Sequence, residues 1–189
     1  GKAMAKLLST HPSTEERVVV HSPTAHTCAT TRAVRGGELL GNRPRGARAP
    51  FRTSESWLPD AHDHVAAKWF VPCDGRRDAG VVVVPPIAHE DRTTAVGLVA
   101  LGGELAARGL TTVSIDLAGT ANGAGSLDAP AIVDRWARDV RVAVRALRDR
   151  GIDHVAVLGV RLGALVGAAA LVGDPVDHFV AWAPVMSGR

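Results

Sequence analysis

The sequence predicts an α/β protein built on a doubly wound parallel sheet. Three observations carry that expectation. Gly80-Val81-Val82-Val83-Val84-Pro85-Pro86 is a continuous β-branched run, which a central parallel strand covered on both faces requires. Further apolar runs follow at 110–115, 154–158 and 177–182. The first two intervals between these runs are long enough for a full helix and close on Gly109 and Gly151, as helix C-termini commonly do. Strands alternating with helices imply right-handed βαβ units.

Residues 1–63 read differently. His11-Pro12, Ser22-Pro23, Gly36-Gly37, Arg43-Pro44-Arg45-Gly46 and Ala49-Pro50 break any period within a few residues. An irregular or disordered N-terminal extension is expected there, with a core over 64–189. Val65–Val71 is expected as an edge strand, ended by the turn signal Pro72-Cys73-Asp74-Gly75. A helix follows from about Thr93 to Arg108, with Val96, Val99, Leu101 and Leu105 at helical spacing. After the strand ending at Asp116, the loop 116–126 is too rich in glycine to be regular. A long helix is expected from Ala129 to Arg150, with Val133, Trp136, Val140, Val144 and Leu147 as its buried stripe. His154–Leu158 is the third strand of the series, Leu162–Val172 a small-residue helix and Asp177–Trp182 a further strand, with Val81–Val84, Thr112–Ile115, Val155–Leu158 and Phe179–Trp182 expected in the interior of one parallel sheet.

Composition narrows the function classes. Residues 1–60 hold nine Lys and Arg against five Asp and Glu, whereas residues 61–189 hold 13 against 14, so the basic pI near 9.4 belongs to the N-terminal segment. No aromatic platform or motif accompanies that charge, so nucleic acid is not an expected partner. No apolar run is long enough to span a membrane. The two cysteines, Cys28 and Cys73, lie in unrelated settings without metal-ligand spacing. No metal, cofactor or disulfide framework is expected, and the default location is a reducing cytoplasm.

The informative feature is Leu158-Gly159-Val160-Arg161-Leu162-Gly163-Ala164. A strand, a Gly-x-x-x-Gly turn and a helix form the context of a nucleophile elbow. The elbow glycines, Gly159 and Gly163, let strand and helix approach closely while the central residue is held in a strained conformation. That central residue is Arg161. A guanidinium stays protonated and has five donors and no acceptor, so it cannot attack as serine does. A helix N-terminus beside a fixed positive charge favours an anion. Arg161 could equally cap a loop or pair with an acid such as Asp116 or Glu90.

The loop Pro85-Pro86-Ile87-Ala88-His89-Glu90 occupies the place that completes an oxyanion hole, where the Ile87 N–H would join that of Leu162. His89 and Glu90 follow a strand's carboxyl end, where open α/β sheets bind ligands. Both have plainer readings: His89 as a solvated loop residue, and Glu90 as an anion favoured by the next helix's dipole. The stripe Arg138, Arg141, Arg145, Arg148 lies on one helix face and reads as solvated, with Asp134, Asp139 and Asp149 near enough to neutralise it.

Four motifs in order carry a resemblance: Val-Pro-Pro-x-x-x-Glu at 84–90, Asp-x-x-Gly-Thr at 116–120, Gly-x-Arg-Leu-Gly-Ala at 159–164 and Trp-x-Pro-x-x-Ser-Gly-Arg at 182–189. Together they resemble the α/β hydrolases, in particular the exosortase-system-associated and actinobacterial hydrolase-like subgroup. That subgroup is similar to the serine aminopeptidase and thioesterase-like branch and typically has arginine at the elbow. The resemblance implies an α/β-hydrolase-type doubly wound parallel sheet. It implies a site built from Arg161, His89 and Glu90, the N–H groups of Leu162 and Ile87, and the loop residues Asp116 and Gly119. Two departures stand out. Ala121-Asn122 replaces the usual Gly-Asp. The sequence also ends at Arg189, ahead of the positions where the fold places its acid and histidine, so a sheet incomplete at the C-terminus and lacking a Ser-His-Asp triad is expected.

Three functions follow as alternatives. One is an unconventional ester or thioester hydrolase with Arg161 on an acidic substrate and His89 or Glu90 as base. Another is a non-catalytic module that holds a small anion. The last is a degenerate gene fragment. Self-association through an open sheet edge is expected in each case.

Overall fold

The computed structural model describes residues 50–60, 63–73, 78–87 and 89–186. Among them lie six strands, β1 (Phe51–Pro59), β2 (His64–Pro72), β3 (Ala79–Val84), β4 (Thr111–Asp116), β5 (His154–Val160) and β6 (His178–Trp182). Three helices accompany them, α1 (His89–Ala107), α2 (Ile132–Arg148) and α3 (Leu162–Ala170). They form one sheet in the order β1-β2-β4-β3-β5-β6. β4, β3, β5 and β6 run parallel, so the doubly wound core stands where the apolar runs put it.

The sheet alternates faces as its pleat requires. Val82, Val84, Val113, Ile115, Val155 and Val157 point to the side covered by α2 and α3, where they meet Trp136, Val140, Val144, Leu147 and Val166. Val81, Val83, Leu158 and Val160 point the other way, onto Leu98, Leu101 and Leu105 of α1. Helices on both faces explain why β3 shows no polar alternation: Val82, Val83 and Val84 are all at 0% exposure.

Beside this parallel core several expectations fail. β2 pairs antiparallel with both β1 and β4. β2 is therefore an interior strand and not an edge. Its outer neighbour β1 lies in the segment read as irregular. Phe51–Pro59 pairs residue for residue with Pro72–His64, yet it is exposed along most of its length. An exposed edge strand needs no apolar stripe, so Arg52-Thr53-Ser54-Glu55-Ser56 gave no period-two signal. Residues 1–49 lie outside the described residues. β6 is not interior either: among the described residues it is the outer strand beyond β5, and all five of its residues are exposed.

The helices begin or end a few residues from their expected bounds, and their buried faces differ in part. α1 buries Leu98, Gly102, Gly103, Ala106 and Ala107, whereas Val96 and Val99 are exposed. A Cβ at Gly102 would run into the Phe70 ring and one at Gly103 into Phe51. The helix thus sits on its smallest residues so that two aromatic rings of β1 and β2 can fill the space, a choice that apolar spacing cannot reveal. On α2, Val133 is exposed while the rest of the expected stripe is buried. The arginine stripe is less solvated than expected. Arg138 pairs with Asp60, Arg141 donates to the Ala170 carbonyl at the end of α3, and Arg148 binds Asp174 and the Pro175 carbonyl.

Cys73 is disulfide-bonded, against the expectation of no disulfide. Sequence separation says nothing of spatial approach; the other cysteine of the chain, Cys28, lies outside the described residues. Such a bond is unusual in a reducing compartment.

Candidate functional site

The parallel strands deliver their carboxyl ends to one rim. β3 passes through Pro85, Pro86 and Ile87 into α1, and β5 passes through the single residue Arg161 into α3. Arg161 has φ 57° and ψ −119°, a conformation that non-glycine residues rarely adopt. Its backbone is tied on both sides. The Arg161 N–H donates to the Trp182 carbonyl at 3.0 Å, and its carbonyl accepts from the Ala164 N–H at 3.1 Å. These bonds hold that strained conformation at the carboxyl end of β5.

Both elbow glycines are required by close approach. A Cβ at Gly159 would strike the Ala164 backbone, and one at Gly163 would strike the carbonyls of Val84 and Pro85. The first turn of α3 is thereby pressed against the loop that carries Ile87. Among the described residues no hydrogen bond takes the N–H of Leu162 or of Ile87. These two donors are the ones sequence reasoning assigned to an anion.

The Arg161 side chain already has an anion. Its Nε and Nη2 donate to the same Glu90 Oε1 at 3.1 and 3.0 Å, and its Nη1 reaches the Ala183 carbonyl at 3.4 Å. Of the two acids open as partners, the fold selects Glu90. Glu90 belongs to the first turn of α1, so its charge is also favoured by the positive end of that helix's dipole. The two side chains are 43% and 44% exposed, so water screens the pair and its net worth is small, about 0.2–1 kcal/mol.

Asp116 takes no part in that pair. Its Oδ2 accepts from the backbone N–H and the side-chain amide of Asn122, both at 3.2 Å. The departure Asn122 is thus what holds this carboxylate, where an aspartate would have set two acids together. Burial pushes the Asp116 carboxyl above the usual range, the Asn122 donors oppose that, and Glu55 adds to it. Asp91, next to Glu90 on α1, is likewise raised, first by burial and then by the charge of Asp116. The first turn of α1 therefore faces Arg161 with one acid and the field of Asp116 with the next. Gly119 turns the loop with φ 74°, and a Cβ there would meet the backbone of Ser126 and Leu127. Its role is to let the loop fold on itself.

His89 is not brought into the site. It is the first residue of α1, exposed, and among the described residues it makes no hydrogen bond or ion pair. Sequence reasoning missed Asp91, Asn122 and the Trp182 and Ala183 carbonyls. The last two became partners only because β6 lies beside β5. Among the described residues no group of three or more His, Cys, Asp or Glu could hold a metal ion, and no helix is long and apolar enough to cross a membrane. What the arrangement offers chemically is a guanidinium and, at Leu162 and Ile87, two N–H groups that take no hydrogen bond among the described residues.

No family model and no curated protein matches the chain. Solved structures do. A predicted CIB-like hydrolase from Thermoplasma acidophilum superposes with TM-score 0.55 at 15% identity, over 71% of this chain and 64% of its own. A hypothetical protein from Pseudomonas aeruginosa gives TM-score 0.60 at 17% identity, over 79% and 49%. An α/β serine hydrolase without a lid from Xanthomonas campestris gives 0.55 at 20% identity, over 70% and 61%. The chain has the fold of α/β hydrolases, and it spans 49% to 64% of the length of these three structures.

Proposed function

We propose that this chain is a hydrolase-like module whose elbow binds the anionic group of a small molecule rather than attacking an ester. The observation that carries the reading is Arg161 itself. It stands in a strained backbone conformation directly ahead of Leu162, whose N–H, like that of Ile87, takes no hydrogen bond among the described residues. Strain of this kind costs about 1–3 kcal/mol and persists where the surroundings over-determine it. A carboxylate or phosphate would accept from Arg161 and from the Leu162 and Ile87 N–H groups. This arrangement favours the exosortase-associated, actinobacterial-like subgroup over an ordinary serine hydrolase, because that subgroup shares the elbow arginine. Turnover of an ester or thioester would need a base. Glu90 is engaged by Arg161 and His89 faces solvent, so the binding reading is the better supported one.

The test is anion binding and ester hydrolysis by the parent, Arg161→Ala and Arg161→Ser. Loss of the half-exposed guanidinium should weaken phosphate or carboxylate binding about tenfold, the low end for a charge-assisted hydrogen bond. Arg161→Ser should gain no esterase activity. Unchanged anion affinity in Arg161→Ala rejects the proposal, and ester turnover by the parent that disappears in that variant assigns catalysis instead.

A further inference from the structure

We infer that Glu90 is a built-in competitor for the site, a carboxylate of the chain itself that occupies Arg161 until an incoming anion displaces it. The inference rests on the anion-binding reading and adds a regulation to it. Glu90 presents one oxygen, Oε1, to two guanidinium nitrogens, while its Oε2 takes no hydrogen bond among the described residues. That is half of what a carboxylate can offer a guanidinium, whose fork matches both oxygens at once. A free carboxylate or phosphate can use both N–H directions and also the Leu162 and Ile87 N–H groups, which Glu90 leaves unpaired.

Displacement requires no backbone movement. Glu90 is anchored in α1, where its carbonyl accepts from the hydroxyls of Thr93 at 3.0 Å and Thr94 at 2.8 Å. Its side chain is 44% exposed, so the released carboxylate moves into water. Arg161 keeps its own anchor, the Ala183 carbonyl.

The experiment titrates the isotopically labelled full chain with inorganic phosphate at constant ionic strength and follows the amide signals of Leu162 and Ile87. Removing an exposed competitor of this kind should tighten phosphate about two- to fivefold in Glu90→Gln. Glu90→Asp keeps the charge but withdraws it by one methylene; it should tighten binding by less, and it decides the matter if Glu90→Gln does not fold. Glu104→Gln removes the same charge from the far end of α1, where Glu104 pairs with Arg108, and should leave the affinity unchanged. Equal affinity in the parent and Glu90→Gln, with binding still lost in Arg161→Ala, overturns the competitor while the anion site stands. Equal tightening in Glu104→Gln also overturns it, as an effect of net charge. No phosphate shift in any protein removes the anion site and the competitor together.

Discussion

At the scale of single residues, the rim of the sheet is governed by which charges are compensated and which are merely buried. Arg161 and Glu90 compensate each other in water; Asp116 is half-buried with amide donors and, among the described residues, no cation in hydrogen-bond contact. Folding therefore holds the Asp116 carboxyl above its ordinary value of 3.8, first through burial. A raised carboxyl binds its proton more tightly in the folded state, so its contribution to stability is present at low pH. That contribution is lost as pH rises from 3.8 through the folded value. Asp91 acts in the same direction. Asp177 acts in the opposite one: the Val155 N–H and His154 hold it low, so its contribution is present above 3.8 and fades as pH falls through its folded value. Asp116→Asn keeps an acceptor for the Asn122 donors and removes the charge. Its unfolding free energy should decline less than the parent's as pH rises above 3.8, measured by urea denaturation at a series of pH values. Equal slopes would mean that Asp116 is not penalised by its burial.

At the scale of elements, α2 is the clamp that places the loop after β4. The Trp136 Nε1–H donates to the Ala118 carbonyl at 2.8 Å, and the Ala118 N–H donates to Asp139 Oδ2 at 2.9 Å. One residue of the loop is thus held from both sides by one helix, two residues beyond Asp116. Asp139 is 1% exposed and also receives Arg135, which in turn reaches Asp63 just ahead of β2. Burial pushes the Asp139 carboxyl up, the Ala118 N–H and Arg135 oppose that, and burial prevails. Asp139→Ala leaves the buried Ala118 N–H unpaired and takes from Arg135 one of its two carboxylates, so it should cost about 2 kcal/mol in chemical denaturation. A loss below about 1 kcal/mol would show that water enters and replaces the carboxylate.

At the scale of the whole molecule, the described chain covers both faces of β3, β4 and β5 and leaves the outer edge of β6 unpaired among the described residues. Phe179, Val180 and Trp182 are 40%, 47% and 54% exposed on that strand. Unpaired backbone groups beside apolar side chains are a template for another strand. Sedimentation velocity should therefore show concentration-dependent association, and Val180→Lys should shift the protein toward monomer without loss of helical signal. A parent that stays monomeric at every concentration would show that this edge does not associate.

The parallel core and the close approach of α3 to its neighbours were legible because their signals are local. A strand buried on both faces must be apolar at every position, as Val81–Val84 is, and a strand-to-helix turn that closes on its neighbours must carry glycine, as Gly159 and Gly163 do. Those constraints act within a few residues and leave their mark whatever lies elsewhere. The rest depended on contacts between distant segments. β1 became a strand only by pairing with β2, and α1 chose Gly102 and Gly103 for its buried face because Phe70 and Phe51 waited there. Cys73 found a disulfide that its spacing did not announce. Arg161 had two acids open to it in the sequence. The packing of α1 above β3 brought Glu90 to the guanidinium, while Asn122 held Asp116 apart from it. Residue type determined that the turn from β5 into α3 carries a cation; tertiary structure decided which anion it holds, because an ion pair depends on distance across the sheet and not along the chain.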